Sequence, residues 1–183
     1  LNANMRLLFR IAKGLTFSVQ GGYDFDYAPS YSFVSSKVAA GATNSMRNAS
    51  SLHRYWQNSN NLTYSDTFNK HTISATGVWE LSGVTDTSMT ISGTGLSNES
   101  VGYWDVTNAA TRSESNSYTA SSLLSGIARL SYDYDKRYFF TAALRADASS
   151  KFQKDHRWGY FPSAAVAWDI AHESFMQSQS VVE

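Results

Sequence analysis

Four histidines, His53, His71, His156 and His172, and no cysteine are what the chain offers to a metal ion or a nucleophilic mechanism. None of the histidines stands at HxxxH or HExxH spacing, so all four read as solvated residues in loops or at strand starts. Serine, histidine and aspartate all occur, yet no GxSxG elbow lifts a serine onto a strand-to-helix turn. Gly93-Thr-Gly95 lacks the strand and helix that a phosphate-binding loop requires. The reading is therefore a protein that is not an enzyme and holds no cofactor; without cysteine, disulfides and thiolate metal sites are excluded within the chain. What remains with chemistry to offer is aromatic. Trp56, Tyr103 and Trp104 stand where strand alternation does not explain them. A ring exposed at such a place stacks on a sugar or docks a partner protein; a ring turned inward anchors its own loop, the commoner role.

The composition narrows the setting. Of 183 residues, 42% are hydrophobic, 14% aromatic and only 16% charged, against about 25% charged in ordinary soluble domains. The formal net charge is zero, so nothing favours nucleic acid as a partner. No apolar run approaches the ~18 residues of a membrane-spanning helix, and the first residues have no signal-peptide architecture.

The elements that must position these residues are strands, most clearly over residues 124–170. Even positions there carry Leu124, Ala128, Leu130, Tyr132 and Tyr134, then Tyr138, Phe140, Ala142, Leu144 and Ala146, then Trp158, Tyr160, Pro162, Ala164, Val166, Trp168 and Ile170. Odd positions carry Ser125, Arg129, Ser131, Asp133, Arg137, Thr141, Arg145, Asp147, Ser163 and Asp169. Successive side chains on a strand point to opposite faces, so this is a sheet that is wet on one side. The other side meets either a second protein layer or lipid. Aromatic residues gather at strand ends and small or aliphatic ones fill the middles, as a strand crossing a bilayer requires.

The same alternation runs from about Met5 to Ala12, from Leu15 to Tyr27, around Leu62 to Phe68 and from Ile73 to Leu81, with tight turns at Lys13-Gly14, Asn69-Lys70 and Asp135-Lys136. Between them the pattern lapses over residues 28–55, with a short helix expected from the spacing of Met46, Ala49, Leu52, His53 and Trp56. It lapses again over residues 83–116, with the next strand resuming near Tyr118, and over residues 149–156. About ten residues at ~3.3 Å each, tilted by ~45°, span roughly 23 Å, close to the ~25 Å band of an outer-membrane barrel. Short turns at one end and long extracellular loops at the other are the habit of such barrels. About seven strands result, an odd number with two bare edges that lipid does not tolerate, so further strands must complete the barrel. A soluble all-β ligand-binding module is the alternative, and it needs a second apolar face that no loop supplies. Arg145 and Asp147 are expected to pair across to Asp133 or Arg129. Asn48-Ala-Ser, Asn61-Leu-Thr and Asn98-Glu-Ser match glycosylation sequons, which a bacterial barrel leaves bare.

Arg145-Ala-Asp-Ala-Ser-Ser-Lys-Phe152, followed by Arg157-Trp-Gly-Tyr-Phe-Pro-Ser163 and then Trp168 and Glu173-Ser-Phe-Met176, resembles the barrel of SusC/RagA-like TonB-dependent outer-membrane transporters. The family usually has Gly where Ala148 stands and often Arg where Lys151 stands. The resemblance is tight over about a quarter of the chain, and its motif residues are Arg145, Asp147, Ser149, Ser150, Phe152, Arg157, Trp158, Gly159, Phe161, Pro162 and Ser163. It implies an all-β antiparallel up-and-down meander, a partial segment of a transmembrane β-barrel, with residues 1–183 forming part of one barrel domain. It also implies a bacterial outer-membrane location and energy-coupled import of a large nutrient, glycan or peptide. The partners would be outer-membrane lipid, a SusD-like surface lipoprotein and the TonB complex, the last reached through an N-terminal part. The plug domain, TonB box and signal peptide are expected to lie outside this chain.

Overall fold

The computed structural model describes residues 1–38 and 41–176. Seven strands run in sequence order through one antiparallel sheet: β1 (Asn2–Ala12), β2 (Leu15–Val34), β3 (Ser45–Phe68), β4 (His71–Leu96), β5 (Ala109–Tyr134), β6 (Tyr138–Ser149) and β7 (Trp158–Trp168). Short 3-10 turns punctuate the connections at Ser36–Val38, Glu99–Val101, Val106–Asn108, Lys154–His156 and Ile170–His172.

The tight turns fall where the alternation places them. Gly14 has φ of +72°, and a Cβ built there would lie 2.3 Å from the Ser65 carbonyl oxygen, so both conformation and close approach demand glycine. Asn69 takes φ of 56°, and Asp135 and Lys136 both take 55°. Positive φ at two successive residues is the signature of the hairpin turn whose twist matches that of its strands.

The long connections differ from expectation. β2 continues to Val34 and β3 begins at Ser45, while β4 runs to Leu96 and β5 starts at Ala109 rather than near Tyr118. Residues 28–55 and 83–116 are thus mostly ladder, and the connections themselves are residues 35–44 and 97–108. The helix expected around Met46 to Trp56 is part of β3. Met46, Leu52 and Trp56 are all even-numbered, so they satisfy an alternation of two as well as a helical spacing. Alternation in type arises only where one face is dry. A strand whose residue types do not alternate keeps its backbone ladder and loses that signal. At the other end of the chain β7 stops at Trp168, and Ile170 falls in a 3-10 turn.

Contacts divide the chain into two units. One comprises residues 1–3, 23–56 and 83–121; the other comprises residues 4–22, 57–82 and 122–176 of the described chain. The first holds a small core of Met46, Leu96 and Ala109, with Phe33, Val101, Tyr103 and Val106 packed against it. In the second, the register pairs even with even: Leu130 opposite Ala142, Ala128 opposite Leu144, Ala142 opposite Ala164, Phe140 opposite Val166. One face of β5, β6 and β7 is therefore continuously apolar, and no second layer of this unit covers it. Val166 is 80% exposed, and Leu130, Phe140 and Leu144 are exposed as well.

Candidate functional site

Rings mark both ends of the apolar face. At the turn end Tyr134 stacks on Tyr138 with centroids 6.4 Å apart, Tyr138 on Trp168 at 6.3 Å, and His71 lies 4.9 Å from Tyr134. At the loop end Trp158 stacks on Tyr160 at 6.3 Å. From Trp158 to Trp168 the rise of ~3.3 Å per residue at a tilt near 40° gives a separation of about 25 Å along the membrane normal, the height of an outer-membrane apolar band. Glu173 fixes the turn end by folding back beyond β7. Its carboxylate accepts from the Tyr138 hydroxyl at 2.6 Å and Trp168 Nε1 at 3.1 Å, and Arg137 lies 3.4 Å away. Those hydrogen bonds, Tyr138 first, hold its carboxyl below the usual carboxylate range.

The odd-numbered face is polar, but its charges pair differently from expectation. Arg145 Nε donates to Asp147 on its own strand at 2.7 Å, whereas the register sets Arg145 opposite Ile127 and Phe161, and Asp133 opposite Phe139. Side chains two apart on a strand share a face, so the two groups meet without crossing to β5. Ser125 stands opposite Asp147 and is buried. Glu80 accepts from Ser59 at 2.9 Å.

The family-motif residues build one hairpin. Ser150 extends the pairing past the end of β6: its amide donates to the Ser122 carbonyl at 2.9 Å and its hydroxyl accepts from the Ser122 amide at 2.8 Å. Ser149 Oγ accepts from the Lys151 amide at 3.3 Å, and the Ser149 amide donates to the Arg157 carbonyl at 3.2 Å. Arg157 Nε donates to the Phe152 carbonyl at 3.1 Å, closing the loop on itself. Beyond it Trp158 stands opposite Ala148, Pro162 opposite Leu144 and Ser163 opposite Ala143. Gly159 leaves room for the Phe161 ring, which a Cβ there would meet at 3.1 Å.

Two of the three singled-out aromatics come together and the third does not. Tyr103 and Trp104 lie 4.8 Å apart and are joined by Tyr31 of β2, 5.2 Å from Tyr103 and 6.3 Å from Trp104. Trp56 instead covers Gly83, where a Cβ would lie 2.5 Å from its Nε1. The tip that carries the cluster is latched by residues the sequence did not single out. Glu99 accepts from Ser35 Oγ at 2.6 Å, the Ser36 amide at 2.9 Å and Asn44 Nδ2 at 2.8 Å, and these bonds, Ser35 first, hold its carboxyl at about 2. Asn44 also clasps Leu96, accepting from its amide at 2.5 Å and donating to its carbonyl at 2.9 Å. All three sequon asparagines are engaged: Asn48 donates to the Tyr103 carbonyl at 2.8 Å, Asn61 accepts from Thr63 at 2.9 Å, and Asn98 accepts from the Ser100 amide at 3.0 Å. Three of the four histidines are engaged one by one, His53 with Asp86 at 2.6 Å, His71 with Tyr132 at 2.7 Å and His172 with Asp169 at 2.7 Å. Among the described residues no group of three or more His, Asp or Glu is placed to hold a metal ion.

A sheet with one bare apolar face, banded by rings about 25 Å apart, and one polar face is a piece of transmembrane β-barrel wall. No protein-family model matches the chain. Among curated proteins it is 27% identical to TonB-dependent receptor P3 of Formosa agariphila over 98% of its length, and 31% identical to receptor P26 of the same organism over 85%. It is 45% identical to TonB-dependent receptor SusC of Bacteroides thetaiotaomicron over 35%. The chain spans 18%, 16% and 6% of those relatives. Its backbone matches the RagAB peptide transporter with a TM-score of 0.87 at 20% identity, over 97% of this chain and 20% of that one. The chain belongs to the SusC/RagA-like TonB-dependent receptors of the bacterial outer membrane, as a fragment of their β-barrel.

Proposed function

We propose that this segment is barrel wall in an energy-coupled importer of large nutrients, glycan or peptide, that works under a SusD-like surface lipoprotein and draws energy through the TonB complex. The wall carries no catalytic step. Its apolar face meets lipid, its polar face the lumen, and its long hairpins the substrate side. The plug domain, TonB box and signal peptide belong to the rest of the full-length protein. The observation that supports this most is the pairing of even with even residues through β5, β6 and β7, which leaves an apolar face of membrane height with nothing of its own unit on it. In a host deleted for the full-length gene, complementation should restore growth on the imported nutrient only when TonB is present, and the lipoprotein should co-purify in detergent. Growth independent of TonB, or a full-length protein that is monodisperse without detergent, would overturn the reading.

A further inference from the structure

We infer that the apolar face of this wall holds a site for one anionic, phosphate-bearing lipid of the outer leaflet, with an acyl chain laid along a groove across β3 to β6 and its headgroup at the loop joining β6 to β7. The inference rests on the reading that lipid covers the even-numbered side of β5 to β7, and it adds a particular lipid and a place for it. The groove has a volume of about 630 Å³, inside the ~300–1,000 Å³ of small-molecule sites. Gly77 and Ala128 form its floor between Leu62 of β3 and Leu144 of β6. Two glycines mark its course. Neither Gly77 nor Gly126 takes a positive φ, and a Cβ built on either would meet nothing within 4 Å, so neither turn geometry nor crowding calls for glycine there. Glycine inside a strand loses more chain entropy than any other residue and packs nothing itself, and it is kept where a ligand or another backbone comes close.

Shape and charge agree on the leaflet. Toward the loop end the even-numbered face stays shallow, with Gly126 opposite Ala146 and Ala148 beyond it; toward the turn end Tyr132 stands opposite Phe140, and Phe140 opposite Val166, which closes the groove. Pro162, which lines the groove, lies four residues from Trp158, or about 10 Å along the membrane normal at ~2.5 Å each, so a chain hung from the loop-end girdle ends near the midplane of the ~25 Å band. Further strands join at the β1 and β7 edges, in the plane of the sheet, and lie beside the floor rather than over it. At the turn end the cations are neutralised: Lys13 pairs with Asp66 at 3.6 Å, Lys70 with Asp135 at 3.0 Å, and Arg137 with Asp135 and Glu173 at 3.4 Å, leaving Lys136 alone. The loop after β6 carries Lys151, Lys154 and Arg157 against the single carboxylate Asp155. Among the described residues none of these three cations has an ion-pair partner, and the bond from Arg157 Nε to the Phe152 carbonyl fixes that guanidinium in the loop. Surplus positive charge above an open apolar groove matches a phosphate headgroup above its acyl chain.

The test uses the full-length transporter in detergent, titrated with monophosphoryl lipid A, with zwitterionic phosphatidylcholine and with inorganic phosphate, the bound lipid being counted by native mass spectrometry. One lipid A should bind roughly tenfold more tightly than phosphatidylcholine, a difference of about 1.4 kcal/mol, and inorganic phosphate should not displace it. Gly77→Leu and Gly126→Leu fill the groove and should each weaken lipid A roughly tenfold. The double variant Lys151→Gln with Lys154→Gln should bring lipid A down to the affinity of phosphatidylcholine, and because it lies outside the strands it tests the site even where a leucine variant fails the heat-dependent gel shift. Val166→Leu, on the same face but beyond the closed end, should bind as the parent does. Equal affinity for the two lipids, leucine variants that bind like the parent, or a loss as large in Val166→Leu would each overturn the site. Displacement by inorganic phosphate would overturn it too, marking the loop as a simple anion site. If the lipid preference is absent while the protein still needs detergent and growth still needs TonB, the site falls and the wall reading stands; a protein monodisperse without detergent would remove both.

Discussion

Arginine at Ala142 should be far more damaging than arginine one residue away. Ala142 faces Ala164 across the β6–β7 ladder, four residues from Tyr138 at one ring girdle and six from Ala148, which pairs with Trp158 at the other. Each residue advances about 2.5 Å along the membrane normal when a ~3.3 Å rise is tilted by ~40°, so Ala142 lies within about 3 Å of the midplane. A guanidinium there costs about 2–4 kcal/mol, the most the band exacts, which is roughly 30- to 1000-fold in the folding equilibrium. Val166→Arg lies some 5 Å from the Trp168 girdle and should cost less, because the penalty falls toward the interface. Ala143→Arg and Thr141→Arg point to the polar face, where Ala143 meets Ser163 and Thr141 lies 3.3 Å from Ser131, and both should be tolerated. Folding of the full-length protein into phosphatidylcholine vesicles, read from the heat-dependent gel shift and from urea titration, measures all four. Equal penalties at Ala142 and Ala143 would refute the face assignment, and with it the claim that lipid covers the even-numbered side.

The hairpin tip supplies the remaining predictions. Asn44→Ala leaves the Leu96 amide and carbonyl unpaired inside a buried cluster, so opening of residues 97–108 should become easier by about 1–3 kcal/mol in native-state hydrogen exchange, and an unchanged rate would refute the clasp. Glu99 has its folded value depressed from 4.5 to about 2, so its contribution is full above 4.5 and fades as pH falls toward 2. Exchange of the same segment should accelerate over that window relative to Glu99→Gln measured at each pH, and identical profiles in the two proteins would show that the latch does not depend on the charge.

The sequence by itself determined the strand count, the tight turns, the two-faced character of β5 to β7 and the family, because each of these follows from local constraint. A strand with one dry side must alternate, a turn with positive φ selects Gly14, Asn69 or Asp135-Lys136, and the residue 145–163 motif closes a hairpin on itself through Ser149 and Arg157. Over residues 28–55 and 83–116 side-chain type does not alternate, and so the outer parts of β2 to β5 passed for loops and Trp56 for part of a helix. Only the tertiary structure decided which distant residues meet. Tyr31 lies 72 positions before Tyr103, and Ser35 lies 64 before Glu99, separations at which no local rule operates. The same holds for Arg145, whose partner on its own strand, rather than across the ladder, was settled by register placing Ile127 and Phe161 opposite it. Side-chain type fixed which face each residue takes, and the pairing of strands fixed its neighbours on that face.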